Sequence, residues 1–190
     1  MKKTIAVILV VLCAFAAFAK DGDNKITRLE PSKLVFDVGA ALHLPSSEDY
    51  GDGTRAGLMG AVTYTPGIIS EKFALGVKFQ FSVTGEPSKV IKHENGIIES
   101  LDFSAGGFLV AKFMWAKSFE PYGAIGFRYN ASEVASLSEM RQRWGAAVQA
   151  GVHGRLSNSF GVGIEAEYFK AISPDTSDEA GIRLYLSFEI

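Results

Sequence analysis

Between residues 73 and 84 the apolar Phe73, Leu75, Val77, Phe79, Phe81 and Val83 alternate with Ala74, Gly76, Lys78, Gln80, Ser82 and Thr84. Successive side chains of a strand point to opposite faces, so this period of two predicts a strand with one wholly apolar face. The same alternation recurs over 33–43, 55–65, 101–113, 121–131, 144–154, 160–170 and 180–190, while no helix-length window beyond Lys20 holds a 3.6-residue period. Eight segments, each close to the about 9–11 residues that cross a bilayer as a tilted strand, predict an all-β, antiparallel, up-and-down transmembrane barrel. The connections alternate in length. Pro66–Lys72, Met114–Glu120 and Arg155–Ser159 are short, whereas Leu44–Thr54, Gly85–Ser100, Ser132–Arg143 and Ala171–Glu179 are longer and polar. Val134, Leu137 and Met140 recur at helical spacing inside one of these, and predict a brief helical turn there.

Alternation does not say which face points outward, because a soluble lipocalin-like binder would bury its apolar face in the lumen. Side-chain size decides. The polar faces hold Gly39, Gly57, Gly76, Gly106, Gly126, Gly145, Gly151, Gly161, Gly163 and Gly181. Glycine weakens a solvated strand without return, but it suits the narrow interior of an eight-stranded barrel. Aromatic residues fall at two levels of the other face. Tyr64, Phe73, Phe113, Trp115, Phe119, Phe160 and Phe188 stand at the short-turn rim, and Phe81, Phe103, Tyr129, Trp144 and Tyr168 towards the long-loop rim. Two such levels predict interfacial girdles around a lipid-facing barrel.

The N-terminus fits export. Lys2 and Lys3 precede the apolar run Ile5–Ala19, which ends in Ala17-Phe18-Ala19, the pattern of a secretory signal peptide cleaved after Ala19. Residues 1–19 are therefore read as signal, 20–32 as a short periplasmic segment and 33–190 as the barrel domain. Leu12 before Cys13 argues against lipoprotein processing, and cleavage removes the only cysteine. Without Lys2 and Lys3, 17 basic residues face 21 acidic ones, a net charge of −4 that disfavours nucleic acid as a partner.

The inward face gathers Asp37, Asp102, Glu165, Glu167 and Glu189 with Lys78, Lys112, Arg128 and Arg183, plus His43, His153, Gln80, Gln149 and Asn130. Five acids against four bases favour mutual pairing over a conduction path of one sign, and predict a plugged lumen. Symmetric hairpins centred near residues 175 and 90 set Glu167 opposite Arg183 and Lys78 opposite Asp102.

Signatures of enzymes are weak. His153 is followed by Gly154 and Arg155, not by the serine two residues on that would resemble the dyad of barrel lipid A deacylases; His43 precedes Leu44 and Pro45, and His93 sits beside Glu94 and Asn95. His153 reads as a polar lumen filler. Glu48, Asp49 and Asp52 do not follow a calcium-loop spacing, and Gly161-Val162-Gly163 opens no helix, so no cofactor or metal is expected.

At this level the chain resembles the small outer-membrane barrels of OmpA, OmpX and OmpW type, from about Lys33 to Ile190. Ile182, Leu184, Leu186, Phe188 and Ile190 are similar to the terminal strand that the barrel-assembly machinery reads, although Ile190 stands where those families usually carry an aromatic. The resemblance implies the cell outer membrane, contact with outer-membrane and lipopolysaccharide-type lipids, periplasmic termini and four surface loops open to an extracellular partner. A non-enzymatic structural or surface-interaction role follows. The alternatives are a narrow channel for small or apolar solutes, a lipid-modifying barrel enzyme, or a soluble periplasmic lipocalin-like binder.

Overall fold

A computed structural model describes residues 34–45, 54–70, 72–85, 101–114, 118–134, 139–172 and 178–190. Eight strands follow one another: β1 Leu34–Pro45, β2 Arg55–Ser70, β3 Phe73–Gly85, β4 Leu101–Phe113, β5 Phe119–Val134, β6 Glu139–Arg155, β7 Phe160–Ala171 and β8 Glu179–Glu189. Each pairs antiparallel with the next, and β1 pairs with β8 to close the barrel. Closure leaves no unpaired sheet edge, the condition for placing strands in a medium that offers no hydrogen bonds. The predicted signal segment, residues 20–32, Trp115 and the Glu48–Asp52 cluster lie outside the described residues.

The alternation is realised as burial. On β3 every second side chain from Ala74 to Thr84 is buried, while the intervening apolar ones face out. Large apolar side chains such as Leu58, Phe79, Leu109, Phe127 and Leu184 form the exposed outer belt, each more than half accessible. Polar and charged residues form most of the interior. This is the inverse of a water-soluble fold, and it requires an apolar solvent around the barrel.

Two expectations about connections are corrected. β2 continues to Ser70 through Pro66, with register shifts between Tyr64 and Gly67 and between Ile68 and Ser70. A bulge accommodates a proline, which donates no ladder hydrogen bond, so Pro66 bends the strand without ending it. Of the expected helical turn, Val134 and Met140 lie instead on strands β5 and β6, and Leu137 lies outside the described residues. Val134 pairs with Glu139 and Glu133 with Met140, so the hairpin extends where a connection of Ser132–Arg143 was predicted. Adding a residue to an existing ladder fixes one residue at a time, whereas a helical turn must first overcome its nucleation cost.

Candidate functional site: the charged lumen

Arg183 on β8 is the centre of the lumen and has no exposed surface. Its Nη1 donates to Glu165 Oε1 and its Nη2 to Glu167 Oε1, both at 2.7 Å. Glu165 also accepts from Lys78 Nζ and, at 2.6 Å, from the Tyr122 hydroxyl. Glu167 takes a second guanidinium, Arg128, and the Gln149 amide at 2.6 Å, and Gln149 reaches Gln80 at 3.2 Å. The Tyr122 and Tyr185 hydroxyls meet at 3.0 Å beneath this layer. Five of the eight strands, β3 and β5 to β8, contribute to the cluster, which ties opposite walls of the barrel together. Each carboxylate holds several charge-assisted bonds, the arrangement that makes a desolvated ion tolerable.

Two further layers flank the centre. Towards the long-loop rim, Glu179 accepts from Arg128 at 2.6 Å, lies 2.8 Å from His43 Nδ1 and 3.7 Å from Arg143, and Arg55 pairs with Asp102. The Arg128 guanidinium also sits 4.9 Å above the Phe169 ring. Towards the short-turn rim, Arg155 bridges Glu120 at 2.6 Å and Glu189 at 3.1 Å, and His153 stands 3.5 and 3.4 Å from the same two carboxylates. Asp37 accepts from Ser187 at 2.7 Å. Among the described interior residues, seven acids (Asp37, Asp102, Glu120, Glu165, Glu167, Glu179 and Glu189) face seven bases (Arg55, Lys78, Lys112, Arg128, Arg143, Arg155 and Arg183). A cavity of about 20 Å³ among Asp37, Lys112, Glu120, Tyr122, His153 and Tyr185 is room for roughly one water.

The pairing differs from the hairpin expectation. Register puts Glu165, not Glu167, opposite Arg183, although Arg183 reaches both. Lys78 lies opposite Phe108 and Asp102 opposite Thr84, so these two charges do not meet. Lys78 instead crosses the lumen to Glu165, and Asp102 takes Arg55. The register of both hairpins differs from the symmetric one by an even number of residues. Such a slip keeps every side chain on its face and is invisible to a period of two.

Glu120, Arg143, Arg155 and Glu179 extend the inward alternation by one position at strand ends, where the sequence predicts connections because polar residues next to turns resemble turn residues. Interior aromatics were also missed. Tyr185 stands opposite Gly163, where a Cβ would come within 2.1 Å of its ring, and Tyr122 stands opposite Gly151, where the distance would be 2.6 Å. These glycines are the complements of inward tyrosines, a device for placing a large ring in a narrow barrel.

On the outer face Tyr64, Phe113 and Phe188 are exposed at the short-turn rim and Phe81, Phe103, Tyr129, Trp144 and Tyr168 towards the other, while Phe73, Phe119 and Phe160 are half-exposed. Phe73 packs on Phe113 and Phe160 on Phe188, with ring centroids 5.3 and 5.7 Å apart. Outside the barrel wall, Asp178 accepts from the Tyr168 hydroxyl at 2.6 Å and from Lys170 at 3.1 Å. These bonds hold its carboxyl below the usual carboxylate range.

His43 with Glu179 has the form of a base held by an acid, yet His43 is 2% exposed and its Nε2 has no hydrogen-bond partner. Among the described residues no hydroxyl is hydrogen-bonded to its Nε2 for activation as a nucleophile.

Comparison with known proteins places this geometry. The crystal structure of Ail, the attachment invasion locus protein of Yersinia pestis, superposes with a TM-score of 0.61 at 15% identity, over 85% of this chain and 100% of Ail. Neisserial surface protein A gives 0.58 at 14% identity, over 84% and 98%. The outer membrane enzyme PagL gives 0.50 at 13%, over 81% and 99%. Such identities speak for the fold alone. Among curated proteins none matches the sequence. The family model for the outer membrane protein beta-barrel domain matches residues 5–188. With eight closed strands, an apolar belt outside and charges within, the chain belongs to the outer membrane protein beta-barrel family.

Proposed function

We propose that the protein is a non-conducting, non-enzymatic outer-membrane barrel that presents its long connections at the cell surface for interaction. The observation that carries this reading is the Arg183 cluster. Its guanidinium, two glutamates, Lys78 and the tyrosine pair occupy the middle of the lumen, and the nearby cavity admits no more than about one water. An ion path would need either a continuous wet lumen or charges free to leave their partners.

The connections are predominantly acidic. Residues 46–54, 86–100, 135–138 and 172–178, on the long-loop rim, carry eight acidic and two basic residues. Ail has been crystallised with the heparin analogue sucrose octasulfate. Connections of net charge −6 (2 − 8) repel such a polyanion, so a cationic or uncharged partner suits this chain.

The test is single-channel recording of the folded protein in a planar bilayer. A flat trace through repeated insertions is expected, and discrete conductance steps that change with Arg183→Met would replace the plug with a pore. Exchange of residues 86–100 for a short Gly/Ser linker should abolish binding to host or neighbouring cells while leaving barrel stability intact. Heparin-bead retention of wild type would contradict the charge argument.

A further inference from the structure

The outer belt is not uniform. At the midpoints of three adjacent strands Phe79, Gly107 and Phe127 stand in register, and two residues nearer the long-loop rim Phe81, Ala105 and Tyr129 do the same. β4 thus presents only a glycine and an alanine between two walls of rings, and the result is an apolar recess of about 550 Å³ that Trp144, paired with Tyr129, extends at its rim end. A Cβ placed on Gly107 would meet only Phe79, at 3.7 Å. This glycine therefore does not relieve a collision, unlike those facing the lumen tyrosines. It leaves space.

We propose that this recess seats a single acyl chain of a lipid in the membrane leaflet nearer the long loops. The inference rests on the outer-membrane placement of the barrel and adds a defined site to it. Width selects the occupant. The walls stand on β3 and β5, each about 4.8 Å from β4, so they are roughly 10 Å apart before the rings narrow the gap. A helix of a second protein, at 10–12 Å across, is too wide, whereas an extended polymethylene chain fits. Position agrees, because the recess runs from mid-strand to the girdle level, the depth range of chains in one leaflet, and is continuous with the lipid-facing belt. At the girdle end the phenol of Tyr129 and the indole of Trp144 place polar atoms where a headgroup begins. Ring walls gain dispersion contacts from a chain held between them that a flat belt does not offer.

Trp144 reports on the recess. The sequence has two tryptophans, so in Trp115→Phe the remaining fluorescence belongs to Trp144. The full protein carrying this change is folded into phosphatidylcholine vesicles in which a small fraction of the lipid has chains brominated near the carbonyl end. Quenching is compared with the random-contact value and with the same protein carrying Gly107→Leu. About fivefold excess quenching over random is expected, the size of roughly ten extra carbon contacts, and Gly107→Leu should bring it to the random value. Ala105→Leu gives the same test should Gly107→Leu not fold, with boiled and unboiled gel mobility checking the fold. Random quenching in the parent protein, or excess that survives filling, overturns the seat while leaving the membrane placement standing. No quenching at all overturns the placement too, and Trp144 shielded by a cross-linkable dimer assigns the recess to a second copy and also overturns the seat.

Discussion

Replacing Arg183 by methionine tests whether the lumen is a dry, mutually supporting plug. The substitution roughly keeps volume and removes two hydrogen bonds of 2.7 Å from a side chain with no exposed surface. Breaking one partner out of a buried ionic group costs about 3–5 kcal/mol, most of it the penalty on the charges left behind. Here the two glutamates are not stranded: Glu165 keeps Lys78 and Tyr122, and Glu167 keeps Arg128 and Gln149. The loss should therefore fall at the low end, about 3 kcal/mol. Adding Glu165→Gln removes the charge that has lost most, so the double variant should recover at least about 1 kcal/mol relative to the sum of the single changes. Urea unfolding from vesicles, followed by tryptophan fluorescence, reads both numbers from the midpoint at constant slope. A loss below about 1 kcal/mol, or strict additivity, would mean that water already solvates the cluster, and the plug would have to be abandoned.

Other outcomes follow from the same geometry. Gly163→Ala forces a Cβ into the Tyr185 ring and should cost about 1–3 kcal/mol, with Tyr185→Leu restoring part of it; an undisturbed midpoint would show that the ring turns away freely. Lys78 carries an ion pair to Glu165, whereas no described carboxylate lies within ion-pair distance of buried Lys112. In the same unfolding assay Lys78→Met should cost about 3 kcal/mol and Lys112→Met less than about 1 kcal/mol, and the reverse order would contradict the assigned partners. The depressed Asp178 carboxyl means that its clasp to Tyr168 and Lys170 is complete above the ordinary aspartate range and is lost as pH falls through its own lower value. Its side-chain carbonyl resonance should titrate with a midpoint below 3.8; a midpoint at or above 3.8 argues that the clasp is not formed. For orientation, Ser47→Cys should react with an impermeant maleimide on intact cells and Asn158→Cys should not, and the opposite labelling would invert the barrel.

What the sequence discloses is direction. A period of two records which wall each side chain faces, and so Arg183, Glu165 and Lys78 can be assigned to the lumen from their neighbours. It carries no record of register, because a slip of two residues leaves each face unchanged, and this is why a symmetric hairpin sets Lys78 against Asp102 although Lys78 meets Glu165. Strand ends are hidden for a different reason. Glu120, Arg155 and Glu179 keep the alternation, but a charged residue beside a turn has the same composition as the turn. Pro66 fails in the same way, since a proline in a bulge and a proline in a loop are locally identical. The interior tyrosines were legible only through glycines on the neighbouring strand, which become partners once the register is known. The lipid recess needed three strands in register before Gly107 and Ala105 could be seen as a floor.

The seam between β1 and β8 also governs the order of events in folding. Leu34 and Ile190 exchange hydrogen bonds of 3.3 and 2.9 Å, so the contacts that close the wall join residues about as far apart in sequence as the barrel permits. Every other pairing is between neighbours in sequence and can form as a local hairpin. The seam must wait for β8, and until then both β1 and the newest strand offer raw edges to any passing β-strand. Loss of the last strand would therefore convert a closed barrel into a chain with two permanent templates for aggregation.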